Sequence, residues 1–428
     1  MTGDRWLRAW GLGYAAVGTA SVLVPLYALE LGASAFVVGL VAATAAFAGV
    51  PGAVLWGRLA SRTNRRRPFL LVALGSMAAV LAVVPSLDSP WTVLVANAGF
   101  WFVTAASAPV LNLVVVDGVP ESEWSVRIGR LNAVQGYGWV AGLVAGTLWT
   151  AVVAPRVGSL AAQRLLFYLL AASTTLAVGL LYAWYPEATS VSERRFQRVF
   201  ARLGREGWGA GRVVRTLPYG PTRLYWGLRL LARRGGSPLA GFPRPLSRYL
   251  LAGTLFSAGF AAFWGPMTAY LTVEGFDAGA VFVLFVLGNL ASAVCYVPVG
   301  RLVARISARR LQSVALASRV VLFPAVPLAG NVVAGAEYAV LAAGFVVIGV
   351  TWAVIAVTGT EIVTWLSDVS ARGESFGAFT ALVGVGTGVG SAAGGLAADV
   401  VGFTLTFVAA GALVLLGLVG VVRGEATR

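Results

Sequence analysis

Apolar residues along this chain neither alternate with a period of two nor keep to a single helical stripe. They fill long continuous runs separated by short polar segments. A run of about 20 predominantly apolar residues is long enough for a helix to cross the hydrocarbon core of a bilayer, and a helix that is apolar all round has no water-facing side. The pattern predicts twelve such helices. Six lie at residues 7–30, 36–57, 68–87, 91–116, 129–154 and 161–185, and six at 247–273, 277–300, 311–330, 336–363, 375–398 and 402–422. Glycine and proline recur inside them, as membrane helices tolerate. The first run, flanked by Asp4, Arg5 and Arg8, is longer than a signal-peptide core and lacks a small-x-small cleavage site, so it reads as the first membrane helix. The expected fold is an all-α membrane protein of twelve transmembrane helices in two pseudo-symmetric six-helix bundles, residues 1–185 and 247–428, joined by a basic segment, 186–246.

The two groups of six carry one repeated sequence. Gly57-Arg58-Leu59, Arg62 and Arg66-Arg67 recur as Gly300-Arg301-Leu302, Arg305 and Arg309-Arg310, always 243 residues later. The same offset carries Gly32 onto Gly275. An apolar half that is duplicated, with a basic loop at the same place in each copy, is the pattern of a membrane protein built from two structural repeats.

Composition narrows the choice of solvent. Of 428 residues, 58% are hydrophobic and only 11% charged, against about 25% charged in a soluble domain. The net charge of +15 could suit nucleic acid, but the basic residues sit between apolar runs and not on a separable domain, which excludes that partner. All 32 basic residues are arginine, with no lysine and no histidine. That removes the side chain most suited to proton transfer near neutral pH and the lysine of a nucleotide-binding loop. The one cysteine, Cys295, forbids an intrachain disulfide and reads as a small buried packing residue. Without histidine, paired intramembrane acids or a metal cluster, no catalytic constellation is present and no cofactor is implied.

Charge also sets the topology. If the N-terminus is cytoplasmic, 29 of the 32 arginines fall on the cytoplasmic side, while Arg156 and Arg164 lie on the other face and Arg319 lies inside the ninth run. The positive-inside rule therefore places both termini in the cytoplasm, and the plasma membrane is the expected location. Within the joining segment, Phe196, Val199, Phe200 and Leu203 fall at helical spacing among five arginines. Leu224, Leu228 and Leu231 form a second such face. Both predict helices lying on the membrane with arginines toward anionic headgroups across 186–248; a solvated basic linker is the alternative.

With these residues in view, the chain resembles the major facilitator superfamily of secondary transporters. The family's loop motif, roughly Gly-x-Leu-x-Asp-Arg-x-Gly-Arg-Arg, stands here as Gly57, Leu59, Ser61, Arg62, Asn64, Arg65 and Arg66, and again as Gly300, Leu302, Ala304, Arg305, Ser307, Ala308 and Arg309. The family's aspartate is thus Ser61 in one copy and Ala304 in the other. The resemblance implies alternating access by two rocking bundles, a monomer, and a substrate cavity lined by helices 1, 4, 7 and 10 with help from 2, 5, 8 and 11.

Two sets of candidates follow. A cytoplasmic gate is expected where Asp117 and Glu361, each ending a helix, meet the loop arginines. Its residues are Gly57, Arg62, Arg65, Arg66, Asp117, Arg127, Gly300, Arg305, Arg309, Glu361 and Arg372. A substrate cavity is expected from Tyr14, Asn97, Trp101, Asn132, Gln135, Trp264, Asn289 and Trp352, because amides inside a membrane need a cavity or a partner. The same amides would also serve as interhelical hydrogen bonds, and the same aromatics as lipid-facing packing. No carboxylate falls near the middle of any run. A cavity of that kind suits a neutral or amphipathic small molecule. It leaves Asp117 and Glu361 as titrating sites if a coupling ion is used. Arg319 is expected to snorkel toward the cytoplasmic end. Export of an amphipathic or aromatic solute is the favoured reading. Uptake of a neutral metabolite, or a sensor or lipid-handling role on the same fold, are its rivals.

Overall fold

The computed structural model describes residues 5–49, 66–116, 123–185, 242–303, 305–328, 336–368 and 372–423. Among them every element is helical. The order is α1 (Arg5–Glu30), α2 (Ala35–Phe47), α3 (Arg67–Val83), α4 (Pro90–Val116), α5 (Trp124–Val157), α6 (Ser159–Trp184), α7 (Arg244–Trp264, resumed at Met267–Val273), α8 (Ala278–Val303), α9 (Ala308–Ala325), α10 (Glu337–Trp365) and α11 (Arg372–Arg423). Ten stretches among the described residues are helices long and apolar enough to cross a membrane; α2, with 13 residues, is shorter. The interfacial helices expected in 186–246 lie outside the described residues.

The boundaries differ from the apolar runs where backbone geometry intervenes. The pattern breaks the last two helices between residues 398 and 402, yet α11 continues through that point with one non-helical residue, Gly402 (φ 83°, ψ 165°). Its counterpart between α5 and α6 is Gly158 (φ 84°, ψ 158°). Gly32 (φ 86°) and Gly275 (φ 87°) make the same left-handed turn after α1 and α7. Only glycine enters that region without steric cost, so the repeat is written into the backbone at two equivalent pairs of turns. Cys295 is half-buried, not the enclosed residue expected.

The chain separates into two compact units. The first contains Met1–Gly32, Phe47–Thr222 and Phe276–Val283; the second contains Ala33–Ala46, Arg223–Gly275 and Leu284–Arg428. By its contacts, α2 thus belongs to the second unit, and the first turns of α8 belong to the first.

In the first unit α1 lies against α5 and α6, and α3 against α4 and α6. The α1–α5 contact is a glycine seam. Gly138 faces the carbonyl of Gly11, Gly142 faces that of Ala15, and Gly18 faces that of Trp139, each with no room for a Cβ. The Thr19 hydroxyl donates to the carbonyl of Gly142 at 2.7 Å across this seam. In the second unit α7 and α11 repeat the device. Gly386, Gly390 and Gly394 face the carbonyls of Thr254, Ala258 and Ala262. Small residues at such spacing let helix backbones approach closely where lipid supplies no hydrophobic driving force.

Candidate functional site

Two of the second-half candidates, Trp264 and Trp352, belong to one aromatic network inside the second unit. Trp264 on α7 meets Phe285 of α8 (centroids 5.5 Å apart) and Phe345 of α10 (5.3 Å). Its neighbour Phe263 stacks face to face on Phe323 of α9 at 4.0 Å. Phe260, one turn earlier on α7, meets Phe323 edge-on at 6.0 Å and Trp352 of α10 at 6.2 Å. Asn289 sits one turn beyond Phe285, and its amide donates to the Phe285 carbonyl at 2.8 Å. That bond satisfies one donor within its own helix.

At the centre of this network stands a charge that the sequence placed elsewhere. Arg319 was expected to snorkel to a headgroup, but its side chain is fully buried. Its Nε donates to the Thr351 hydroxyl at 3.1 Å and its Nη2 to the Ile348 carbonyl at 2.9 Å. The guanidinium carbon lies 4.2 Å from the centroid of Phe260, 5.6 Å from Trp352 and 5.9 Å from Phe323. The planar cation is held by ring faces, which attract it electrostatically, and by the hydrogen bonds it donates to acceptors on α10. Thr351 in turn donates to the carbonyls of Val347 and Ile348, at 2.9 and 3.0 Å, so its oxygen is oriented to accept from the arginine. The Trp352 Nε1 atom is buried and has no hydrogen-bond partner among the described residues; the same holds for Trp10 Nε1 in the first unit.

The first-half candidates lie in the first unit. Tyr14 of α1 contacts Trp139 of α5 at 6.3 Å. Gln135 is one turn before Trp139 and Asn132 three residues before that; both are half-buried. On α4, Asn97 is buried and Trp101, one turn later, is nearly so and packs edge-on against Phe100.

The gate candidates divide differently. Gly57, Arg62, Arg65 and Asp117 lie outside the described residues, as does the side chain of Arg372. Arg66 is buried at the residue before α3. Arg127, Arg309 and Glu361 are half-buried, Gly300 lies in the last turns of α8, and Arg305 is exposed. The neighbouring arginine does more than the motif suggested. Arg67 Nη2 donates to the carbonyl of Tyr182 near the end of α6, and its guanidinium lies 4.1 Å over the Tyr182 ring.

Sequence reasoning also missed two tyrosines, although the repeat carries a signal for them. Tyr27 and Tyr270 are 243 residues apart, the offset of the glycine-arginine loops. The Tyr27 hydroxyl is directed at the carbonyls of Leu87 (3.0 Å) and Pro85 (3.2 Å) and accepts from Arg164 Nε at 3.2 Å. The Tyr270 hydroxyl donates to the Val326 carbonyl at 3.3 Å. Each tyrosine pegs the first helix of its half to the end of the third. Arg164 adds a bond to Asp88 at 2.8 Å, but Asp88 is 83% exposed, and an ion pair so open to water contributes little. Tyr27→Phe is therefore expected to lower stability by about 1 kcal/mol, and Asp88→Asn by less. Thermal unfolding in detergent measures both.

Similarity to known proteins agrees with this architecture. The sequence matches the family model "Major Facilitator Superfamily" over residues 10–364. A search of curated proteins finds no match. Among solved structures, the chain is similar to the nucleoside transporter NupG, with a TM-score of 0.72 at 13% identity and 100% of each chain covered. It is also similar to a bacterial homolog of the human lysosomal transporter Spinster, with a TM-score of 0.69, 14% identity, and 99% of this chain and 96% of that one covered. A structure described under substrate recognition in proton dependent oligopeptide transporters gives a TM-score of 0.66 at 14% identity over the same shares of the two chains. The family's fold has twelve membrane helices, which the order of helices here fits. More than half of the chain lies within the family match, and the protein is a member of the Major Facilitator Superfamily of membrane transporters.

Proposed function

We propose that this chain is a secondary transporter that exports an aromatic or amphipathic small solute of zero or negative charge by alternating access. Its working parts are two six-helix bundles, residues 1–185 and 247–428, in the plasma membrane with both termini cytoplasmic. The arginine asymmetry supports that orientation. The observation that carries the substrate class is the indole N–H of Trp352, buried without a partner among the described residues, in an aromatic network that encloses Arg319. A buried indole N–H ordinarily finds an acceptor; a solute with a carbonyl, ring-nitrogen or carboxylate acceptor would supply one. The guanidinium makes this region electropositive and disfavours a cationic guest. Aromatic faces at Trp264, Phe285 and Phe345 suit a flat ring, and the Asn289 amide, on α8 like Phe285, suits its polar edge.

The test is flux in reconstituted vesicles with nucleosides and with neutral, anionic and cationic aromatic dyes. Neutral and anionic probes are expected to move and cationic ones not. Trp352→Phe keeps the ring but removes the N–H. It should raise the half-saturating concentration about five- to tenfold, the loss of one hydrogen bond of about 1 to 1.5 kcal/mol. Preferential transport of cations, or an unchanged response in Trp352→Phe, sinks the assignment. Nucleosides are included because one structural neighbour carries them and because they are neutral, flat and rich in acceptors. Net uptake of a neutral probe down its gradient, without export of any dye, would favour the metabolite-permease reading. Absence of counterflow with every probe would favour a sensor.

A further inference from the structure

The helix α2 starts on a carboxylate borrowed from another helix. Its first two amides, Ala35 N–H and Phe36 N–H, donate to the two oxygens of Asp399 at 2.9 and 3.0 Å. These are orphan donors of a helix N-terminus, which local side chains usually satisfy. The local candidate, Ser34, is a poor cap here: its hydroxyl lies 3.5 Å from the Val37 amide. Asp399 stands on α11, three residues before the left-handed Gly402. One turn further into the helices, α2 and α11 touch backbone to backbone. A Cβ on Gly39 would fall 2.5 Å from the Ser391 carbonyl oxygen and 2.9 Å from Gly395 Cα, and one on Gly395 would fall 2.5 Å from the Ala35 carbonyl oxygen.

The repeat shows that this cap is not inherited. Gly402 corresponds to Gly158, so Asp399 corresponds to Pro155 on α5, a residue with no oxygen to offer in its side chain. On the other side of the comparison, Ser34 corresponds to Asp277 by the offset of 243. Asp277 caps α8 from its own chain position, accepting from the Ala280 amide at 2.7 Å. In one half the helix carries its cap in cis; in the other, the cap has moved to a different helix. A cap in cis travels with its helix, whereas a cap in trans holds two helices together.

We propose that Asp399 is a latch that fastens the N-terminal end of α2 to α11, so that the end of the protein away from its arginine-rich loops opens only when the two bonds to Ala35 and Phe36 break. The inference rests on the alternating-access reading, since only a protein that opens at that end needs such a fastening. Asp399 is exposed, so its freed carboxylate and the freed amides pass directly to water, and the latch can release without burying a charge. Helix caps of this kind contribute about 0.5 to 2 kcal/mol. That is enough to bias a conformational equilibrium without freezing it.

The test reads opening directly, without a known substrate. In a Cys295→Ser background, Phe36→Cys is labelled with a membrane-impermeant maleimide in vesicles. Asp399→Ala is expected to raise the labelling rate about tenfold, and Asp399→Asn, which keeps one accepting oxygen, by less. Gly395→Ala, which forces α2 away while leaving the carboxylate intact, should raise it too. If Asp399→Ala yields no folded protein, Asp399→Asn carries the comparison. Equal labelling in the wild type and both Asp399 variants, with Gly395→Ala fast, overturns the latch. Faster labelling in the Asp399 variants together with no flux of any probe supports the fastening and instead refutes the transport reading.

Discussion

Gly390→Val will unfold the α7–α11 pair at temperatures where the wild-type protein is intact. Gly390 lies against the main chain of Ala258, and its flanking glycines, Gly386 and Gly394, lie against Thr254 and Ala262 in the same way. The opposing atoms are carbonyl oxygens and Cα atoms of a continuous helix, which cannot rotate aside as a side chain would. Even a methyl group must push the two helices apart along their length and open the buried contacts of Ala261, Ala262 and Phe256. Overpacking usually costs about 1 to 3 kcal/mol, and more where relaxation is blocked; a loss above about 3 kcal/mol is expected here. Gly142→Val in the α1–α5 seam should behave alike. Gly179→Val on α6 is the control, because a Cβ there meets nothing within 4 Å. Thermal unfolding in detergent decides the matter: an equal shift for Gly390 and Gly179 would mean that the glycine seam carries no special constraint.

Arg319 gives the second large effect, and its variants separate volume from charge. Arg319→Ala removes a fully buried side chain from between Phe260, Phe323 and Trp352 and leaves a void. Large-to-small changes of this kind cost about 2 to 5 kcal/mol. Arg319→Met fills much of the space without a charge to desolvate, and should lose less than about 1.5 kcal/mol. Arg319→Lys keeps the charge but loses the planar face over Phe260 and the fork to Thr351 and Ile348, so it should be less stable than Met. Function should follow the opposite order. Arg319→Met, though stable, should begin to accept cationic aromatic probes, because the positive field is gone; Arg319→Lys should still refuse them. A methionine variant that keeps the wild-type charge preference would show that Arg319 is a packing element alone.

Much of the architecture is legible in the sequence because a membrane reduces folding to few variables. Continuous apolar runs give the order of the helices, the Gly-Arg-Leu sequence gives the repeat, and the two together with the arginine pattern carry the family resemblance that the family match bears out. The offset of 243 even announces the paired turns at Gly32 and Gly275 and the paired tyrosines at 27 and 270. The cysteine count excludes an intrachain disulfide, and the charge count a soluble surface, with no structural information at all.

The candidate site was legible only in part. Trp264 and Trp352 join one aromatic network through Phe260, Phe323 and Phe263, because they fall on helices that pack together, whereas the bond of Asn289 stays within its own helix. Arg319 departs from the expected snorkelling because a long side chain inside a helix reaches either toward the headgroups or toward a neighbouring helix, and sequence does not say which. Burial decided it: α7 and α10 present Phe260, Trp352 and Thr351 to the guanidinium, and ring faces with aligned acceptors hold the cation better than a distant headgroup.

What the sequence determined alone is whatever depends on composition and spacing: apolar helices, their order, and the repeated sequence 243 residues apart. These follow from the absence of water, which forces every backbone into helix and every loop to a surface. What only the tertiary structure decided is which groups meet across helices: α2 fastening to Asp399 rather than to Ser34, Tyr27 reaching Leu87, and an arginine enclosed by aromatic rings. Such pairings depend on the rotation of each helix about its axis. In an apolar-all-round helix no hydrophobic stripe records that rotation; close glycine contacts and buried hydrogen bonds set it.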